Sequence, residues 1–181
     1  MAYEDLIYKM KKIVLIVGAS GVGKDTLLRN IKDKIEANFV TRYITRVSDT
    51  NETNFYVDKD AFKVLQKGDF FVSTWEAHEN HYGIAQNQIK DGLNIISISR
   101  ASIKDFEKLY NDVTTISITL PREALYKRLK GRGREDEEQI QKRLKRSYAT
   151  INATNLVEFI NDKPLGDAIE EFSNLLESLS S

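Results

Sequence analysis

The chain has 181 residues, with 27 Lys and Arg balanced by 27 Asp and Glu, two His and no Cys. That length suits one α/β domain with a sizeable core, and zero net charge gives no footing for a general nucleic-acid or membrane partner. Without thiols there are no disulfides, thiolate metal sites or cysteine nucleophile; with no bilayer-long apolar run and no signal-like core in residues 1–9, the expected location is cytoplasmic.

In chain order, the first strong element is the apolar, β-branched run Ile13–Val17, the pattern of a parallel strand buried on both faces. It feeds directly into Gly18-Ala19-Ser20-Gly21-Val22-Gly23-Lys24-Asp25-Thr26, a glycine-rich loop. Its glycines allow a tight turn whose N–H groups face phosphate oxygens, and Lys24 reaches the β- and γ-phosphates. Leu27, Leu28, Ile31 and Ile35 then recur at helical spacing, predicting a helix over Thr26–Ala37 whose dipole points at the phosphates. All nine loop residues are therefore expected to contact ATP. Asp25 stands where a Mg²⁺-holding Ser or Thr usually follows the lysine, and Thr26 comes next. Both are candidate Mg²⁺ ligands, the alternative for Asp25 being only a favourable charge at a helix N-terminus.

Further strands are predicted at Val40–Ile44, Ile95–Ser99, Thr115–Ile118 and Val157–Ile160. Helices are predicted at Gln86–Lys90, Ile103–Tyr110, Arg122–Lys130, Glu138–Ala149 and Leu165–Leu179. Such alternation implies a three-layer α/β fold, a five-stranded parallel sheet wrapped by helices. The chain reads as a single domain over 1–181, without repeat or linker. Residues 48–84 break the rhythm with Phe55–Val57, a short helix over Asp58–Gln66, Phe70–Trp75 and His81–Ile84, which reads as a small inserted substrate-binding lobe with Trp75 in its core. The core is then 12–47 with 85–181. Glu76-Ala-His78-Glu-Asn-His81 lacks H-E-x-x-H spacing and reads as a polar substrate loop carrying His78 rather than a zinc site. Arg128 and Arg132 fall at i, i+4, and Arg134, Arg143 and Arg146 follow. They are either charge-neutralising groups for a phosphoryl in flight or a solvated run paired with Glu135–Glu138.

Several motifs together resemble the guanylate kinase family of P-loop phosphotransferases: Thr45-Arg46, Phe55-Tyr-Val-Asp-Lys-Asp-Ala-Phe62, Tyr82-Gly83, and Leu129-Lys-Gly-Arg-Gly-Arg134 ahead of Ile140 and Lys142-Arg-Leu144. The resemblance implies an arginine-bearing lid at about 131–139, with Lys24, Arg132, Arg134 and Arg143 catalytic, Arg128 on ATP and Asn161 near the adenine. The family's guanine-reading positions, however, hold Arg42, Ser73, Ile84 and Ser99. A site that reads a base by hydrogen bonds loses it when the acceptors go. Gly-Lys-Asp25, Arg42-Tyr-Ile-Thr-Arg46, Trp75-x-Ala77 beside His78, Ser99-Arg-Ala101 and Gly131-Arg-Gly-Arg-Glu135 resemble instead the ribose 1,5-bisphosphate phosphokinases of phosphonate breakdown. That resemblance implies an ATP- and Mg²⁺-dependent transfer onto a sugar bisphosphate, with His78 nearby. Two phosphates ask for two anion clamps, expected from Arg46 and Tyr82 on the acceptor phosphate and from Arg42 and Arg100 on the far one, the alternative for the latter two being surface salt bridges. The partner is then a small molecule, neither nucleic acid nor membrane, bound by a monomer or homodimer. A nucleoside monophosphate kinase and a non-catalytic guanylate-kinase-like binding module are the alternatives.

Overall fold

Five consecutive buried residues, Ile13–Val17, enclose the first strand, as its unbroken apolar run requires. The computed structural model describes residues 11–48 and 53–180. In chain order its strands are β1 (Lys11–Gly18), β2 (Asn38–Phe39), β3 (Tyr43–Ile44), β4 (Phe55–Tyr56), β5 (Phe71–Ala77), β6 (Asn80–Ala85), β7 (Gly92–Ser97), β8 (Asp112–Thr119) and β9 (Leu156–Ile160). The α-helices are α1 (Lys24–Ile31), α2 (Lys59–Lys67), α3 (Ile103–Leu109), α4 (Arg122–Gly131), α5 (Glu137–Ser147) and α6 (Leu165–Ser180). The expected five-stranded sheet is present, in the order β2-β7-β1-β8-β9, and a second sheet has the order β4-β3-β6-β5. Among the described residues no helix is long and apolar enough to cross a membrane.

The chain divides into two compact units, one of Ala37–Thr114 with the segment up to Leu15, the other of Ile16–Glu36 with Thr115–Ser181. In the first, β2 pairs in parallel with β7 through Asn38↔Asn94 and Phe39↔Ile95. Asn94, fully buried, ties this region together. Its Nδ2 donates to the carbonyls of Lys12, Lys90 and Gly92, while Oδ1 accepts from the Lys90 amide and from Asn38 Nδ2. The small sheet has two different faces, because side chains alternate along its strands. One face carries aromatic rings, with Phe62 stacked on Phe71 at 4.7 Å and Tyr43 edge-on to Phe70 and Phe71. Gly83 is required there: an added Cβ would fall 2.6 Å from the Phe71 ring.

In the second unit, β8 and β9 pair in parallel from Thr115↔Leu156 to Thr119↔Ile160. The apolar stripes of α4, α5 and α6 bury Leu125 and Leu129, Ile140 and Leu144, and Phe172 and Leu176. A reciprocal capping box starts α5: Asp136 Oδ1 accepts from the Gln139 amide at 2.8 Å and Gln139 Oε1 from the Asp136 amide at 3.0 Å.

Four expectations are corrected. Of the predicted strand Val40–Ile44 only Tyr43–Ile44 is strand, paired with β4 and β6 in the small sheet, while the strand beside β7 is Asn38–Phe39, just ahead of the predicted run. An apolar run reports burial and cannot say which neighbour supplies the ladder. Gln86–Lys90 is only a 3₁₀ turn over Gln86–Gln88, too short to meet the cost of helix nucleation. The helix expected to reach Ala37 stops at Ile31, where Lys34 N–H bonds the Ile31 carbonyl in a closing turn, although Ile35 stays buried. The strand expected to end at Ser99 stops at Ser97, and the Ser99 hydroxyl accepts from the Ala101 amide as the cap of a 3₁₀ turn over Arg100–Ser102.

Asn94→Leu strands three carbonyls, an amide and the Asn38 side chain, and is expected to cost about 3 kcal/mol or more in urea unfolding. The β5–β6 hairpin turns on His78 and Glu79, both left-handed at φ 50° and 63°. Glu79→Gly is therefore expected to stabilise the protein by about 0.5–1 kcal/mol, read as a raised urea midpoint with unchanged slope.

Candidate functional site

The glycine loop joins β1 to α1, and its shape is imposed by what crowds it. A Cβ on Gly18 would lie 2.9 Å from the Ile118 carbonyl oxygen. Gly21 and Gly23 have φ of +99° and +87°, a conformation side chains rarely take, and a Cβ on Gly23 would fall 2.6 Å from Asn161 Nδ2. Gly23 is the N-cap of α1 and offers no side chain to satisfy the first amides of the helix. Those amides, with Lys24 beside them, form the anion site that helix starts of this kind provide.

Three side chains from other elements brace or face the loop. Asn161, buried just after β9, donates Nδ2 to the Val22 carbonyl at 2.7 Å. Arg128, in α4, donates Nη1 to the Gly21 carbonyl at 3.1 Å. Arg132, at the end of α4, holds both Nη atoms 3.7 Å from where a Cβ of Gly21 would be. Arg128 and Asn161, both expected on ATP, bond the loop backbone. Ala19 lies at the turn closed by Val22 N–H to its carbonyl, and Ser20 is exposed beside it.

Beyond Arg132 the lid segment is exposed, with Gly133 at φ +62° and Arg134 in solvent. Arg143, in α5, is bound by Glu135 at 2.8 Å, with both side chains mostly buried. Tyr126 OH donates to Glu137 at 3.0 Å, and Lys130 donates to Tyr126 OH at 3.2 Å. The Tyr126 bond, then its charge, raises the Lys130 pKa; the Gln141 bond, then that of Tyr126, lowers the Glu137 pKa.

Asp25 is exposed in the first turn of α1, and Thr26 is half-buried beside it. Among the described residues no group of three or more His, Cys, Asp or Glu is arranged to hold a metal. One carboxylate and one hydroxyl at a phosphate loop nevertheless fit Mg²⁺, which takes one or two protein oxygens and completes its shell with phosphates and water.

In the other compact unit, the second face of the small sheet carries the expected acceptor residues. Trp75 and Tyr82 are cross-strand partners with rings stacked at 5.4 Å and 7°. The Arg42 guanidinium lies over the Tyr82 ring at 5.8 Å, and its Nε donates to Asn54 Oδ1 at 3.4 Å. Trp75 is thus part of a polar face rather than lobe core. Arg42 and Tyr82, expected at opposite ends of the acceptor, are neighbours. Arg46 is half-buried just beyond β3, where Thr45 exchanges bonds with His81. Arg100 opens the 3₁₀ turn that packs on β5, and burial lowers its pKa from the ordinary guanidinium value. A guanidinium stays protonated all the same, so the consequence is a partly desolvated cation. His78 is not brought to this face. It sits exposed at the hairpin tip, two rungs beyond the Trp75–Tyr82 pair, while His81 pairs with Glu76 and stacks on Phe62.

Ile84 is fully buried and Ser99 is spent as a cap. Ser73, 4% exposed, donates Oγ to Asp105 Oδ2 at 2.6 Å. Asp105 was missed in the sequence because it lies 32 positions from Ser73 in an ordinary amphipathic helix, where a carboxylate in the first turn looks like dipole compensation.

Known proteins resemble this chain in sequence and in fold. The family model for guanylate kinase matches residues 9–179. Ribose 1,5-bisphosphate phosphokinase PhnN of Pectobacterium parmentieri is 33% identical over 177 residues, covering 92% of this chain and 94% of that protein. Its counterpart in Desulfomicrobium baculatum is 31% identical over 177 residues, covering 92% and 95%. In structure, the guanylate kinase of Anaplasma phagocytophilum superposes with a TM-score of 0.63 at 16% identity, over 95% of this chain and 87% of the other.

Because Asn161 and Arg128 hold the loop carbonyls, Asn161→Ala and Arg128→Met are each expected to raise the KM for ATP about 5- to 20-fold in steady-state assays and to leave the acceptor KM within twofold. Gly23→Ala, which adds both a clash and left-handed strain, is expected to reduce nucleotide affinity further than either.

Proposed function

We propose that this chain, which belongs to the guanylate kinase family of phosphotransferases, phosphorylates ribose 1,5-bisphosphate with ATP, giving ADP and 5-phosphoribosyl 1-diphosphate. The observation that carries the reading is the fate of the base-reading positions. One is buried aliphatic (Ile84), one is a turn cap (Ser99), one is a buried hydroxyl engaged with Asp105 (Ser73), and one is an arginine over Tyr82 (Arg42). A purine edge left facing such groups would keep unpaired donors and acceptors, each costing about 1–3 kcal/mol. A sugar with two phosphates asks for cations instead, and Arg42, Arg46 and Arg100 with Tyr82 supply them. The names of the relatives point the same way.

In the reaction, an ionised oxygen of the C1 phosphate attacks the γ-phosphorus of ATP, a new P–O–P bridge forms, and the bond to the ADP oxygen breaks. The attacking oxygen carries no proton at neutral pH, so no general base is needed. The work falls to orientation and charge neutralisation. The amides of Gly18–Gly23 and the Lys24 ammonium cradle the donor phosphates. Arg132, against the loop, meets the charge that develops on the transferring group, with Arg134 and Arg143 contributing from the lid and α5. Glu135 fixes the orientation of Arg143. Asp25 and Thr26 are the residues that would hold Mg²⁺, which would supply Lewis-acid neutralisation of the phosphate oxygens.

Coupled ADP release tests the assignment. Turnover with ribose 1,5-bisphosphate is expected to exceed turnover with GMP or other nucleoside monophosphates by at least about 100-fold in kcat/KM, in line with the loss of base contacts. Preference for GMP would overturn it, and no turnover with any acceptor would favour a binding module. Arg42→Met and Arg100→Met are each expected to raise the sugar-phosphate KM about 10-fold or more without moving the ATP KM; equal effects on both would contradict the clamp. Asp25→Asn is expected to shift the rate's Mg²⁺ dependence to higher concentrations, and an unchanged curve would remove its metal role.

A further inference from the structure

We propose that Asp105, held in place by Ser73, is the acceptor for the sugar hydroxyls and so makes the site selective for ribose over its deoxy analogues. The inference rests on the acceptor assigned above and names the group that recognises the part of that acceptor which is not phosphate.

Cations satisfy phosphates, but they cannot satisfy alcohols. Ribose 1,5-bisphosphate carries two neighbouring hydroxyls, at C2 and C3, and each needs a hydrogen-bond acceptor when it leaves water. Arginine and lysine accept nothing, and an indole only donates. On the polar face of the small sheet, Arg42 and Trp75 therefore cannot serve, nor can Arg100 in the turn packed on β5.

Asp105 has the right chemistry and position. Ser73 follows the alternation that sets Trp75 on this face and is paired with Ile84 of β6, two residues from Tyr82. Its hydroxyl, almost wholly buried, spends its single proton on Asp105 Oδ2 at 2.6 Å. The donor direction matters, because the serine's own lone pairs are left as an acceptor. Among the described residues the other carboxylate oxygen, Oδ1, makes no hydrogen bond, and Asp105 is only half-buried in the first turn of α3. The half-buried Asp105 carboxylate, oriented by the buried Ser73 hydroxyl, thus keeps Oδ1 as an acceptor for a sugar hydroxyl. A carboxylate near a doubly anionic ligand is a net repulsion unless its oxygens receive hydrogen bonds, so it favours a hydroxyl and disfavours a hydrogen or a further phosphate at the same carbon.

The test is the ratio of kcat/KM for ribose 1,5-bisphosphate to that for its 2-deoxy and 3-deoxy counterparts, a readout that a merely structural Ser73–Asp105 bond would not move. The wild-type protein is expected to prefer ribose about 10- to 100-fold over at least one deoxy analogue, as hydrogen bonds to charged groups imply. Asp105→Ala is expected to bring that ratio close to one by slowing the ribose substrate, with the ATP KM unchanged; Ser73→Ala, which frees the carboxylate, is expected to lower it partway. An unchanged ratio in folded Asp105→Ala would overturn the proposal. So would a wild-type ratio of one for both analogues, which needs no variant and holds even if the substitutions unfold the chain. Turnover of none of the three sugars, with turnover of a nucleoside monophosphate, would overturn the acceptor assignment itself.

Discussion

Backbone amides can bind phosphate only where no side chain stands in the way, and this constraint governs the loop between β1 and α1. Gly18 is pressed against the Ile118 carbonyl, and Gly23 against the amide of Asn161. The close approach is reciprocal: because Gly23 has no side chain, Asn161 can come near enough to bond the Val22 carbonyl. Arg128 does the same for Gly21. Turning the loop carbonyls toward these donors leaves the amides directed the other way, toward an anion. The buried strand before the loop and the helix after it fix its two ends, so an arrangement that is open to solvent is still held rigidly.

The acceptor residues follow a different design, in which one small sheet presents two chemistries. Aromatic packing of Tyr43, Phe62, Phe70 and Phe71 stabilises one face, and Gly83 lets Phe71 close over the strand. The period of two then delivers Arg42, Ser73, Trp75 and Tyr82 to the other face. The stacked Trp75–Tyr82 pair gives Arg42 a flat support, which limits the freedom its long side chain would otherwise lose on binding an anion.

Much of this was legible in the sequence, for identifiable reasons. The glycine loop is local, its spacing is dictated by backbone geometry, and the run Ile13–Val17 can hardly be anything but a buried strand. The long helix over Leu165–Ser180 announced itself by period. What depended on distant partners was not legible. The run Val40–Ile44 looks like a strand of the large sheet, but apolar character says nothing about which sheet accepts it, and Tyr43–Ile44 pairs in the small one while Asn38–Phe39 pairs with β7. Asn94 looks like any loop-edge asparagine until its five bonds are seen. Asn161, which the resemblance puts near the nucleotide, also braces the glycine loop through the Val22 carbonyl, a bond no motif encodes. The resemblance puts His78 near the acceptor, whereas the hairpin carries it to an exposed tip.

The central claim is that cations and a hydroxyl acceptor, not base-reading groups, define the second substrate. Calorimetric titration in the presence of Mg²⁺ and a non-hydrolysable ATP analogue measures this without relying on turnover. The account predicts saturable binding of ribose 1,5-bisphosphate that weakens with added salt, and binding of GMP at least about 100-fold weaker. Equal or tighter binding of GMP would contradict it.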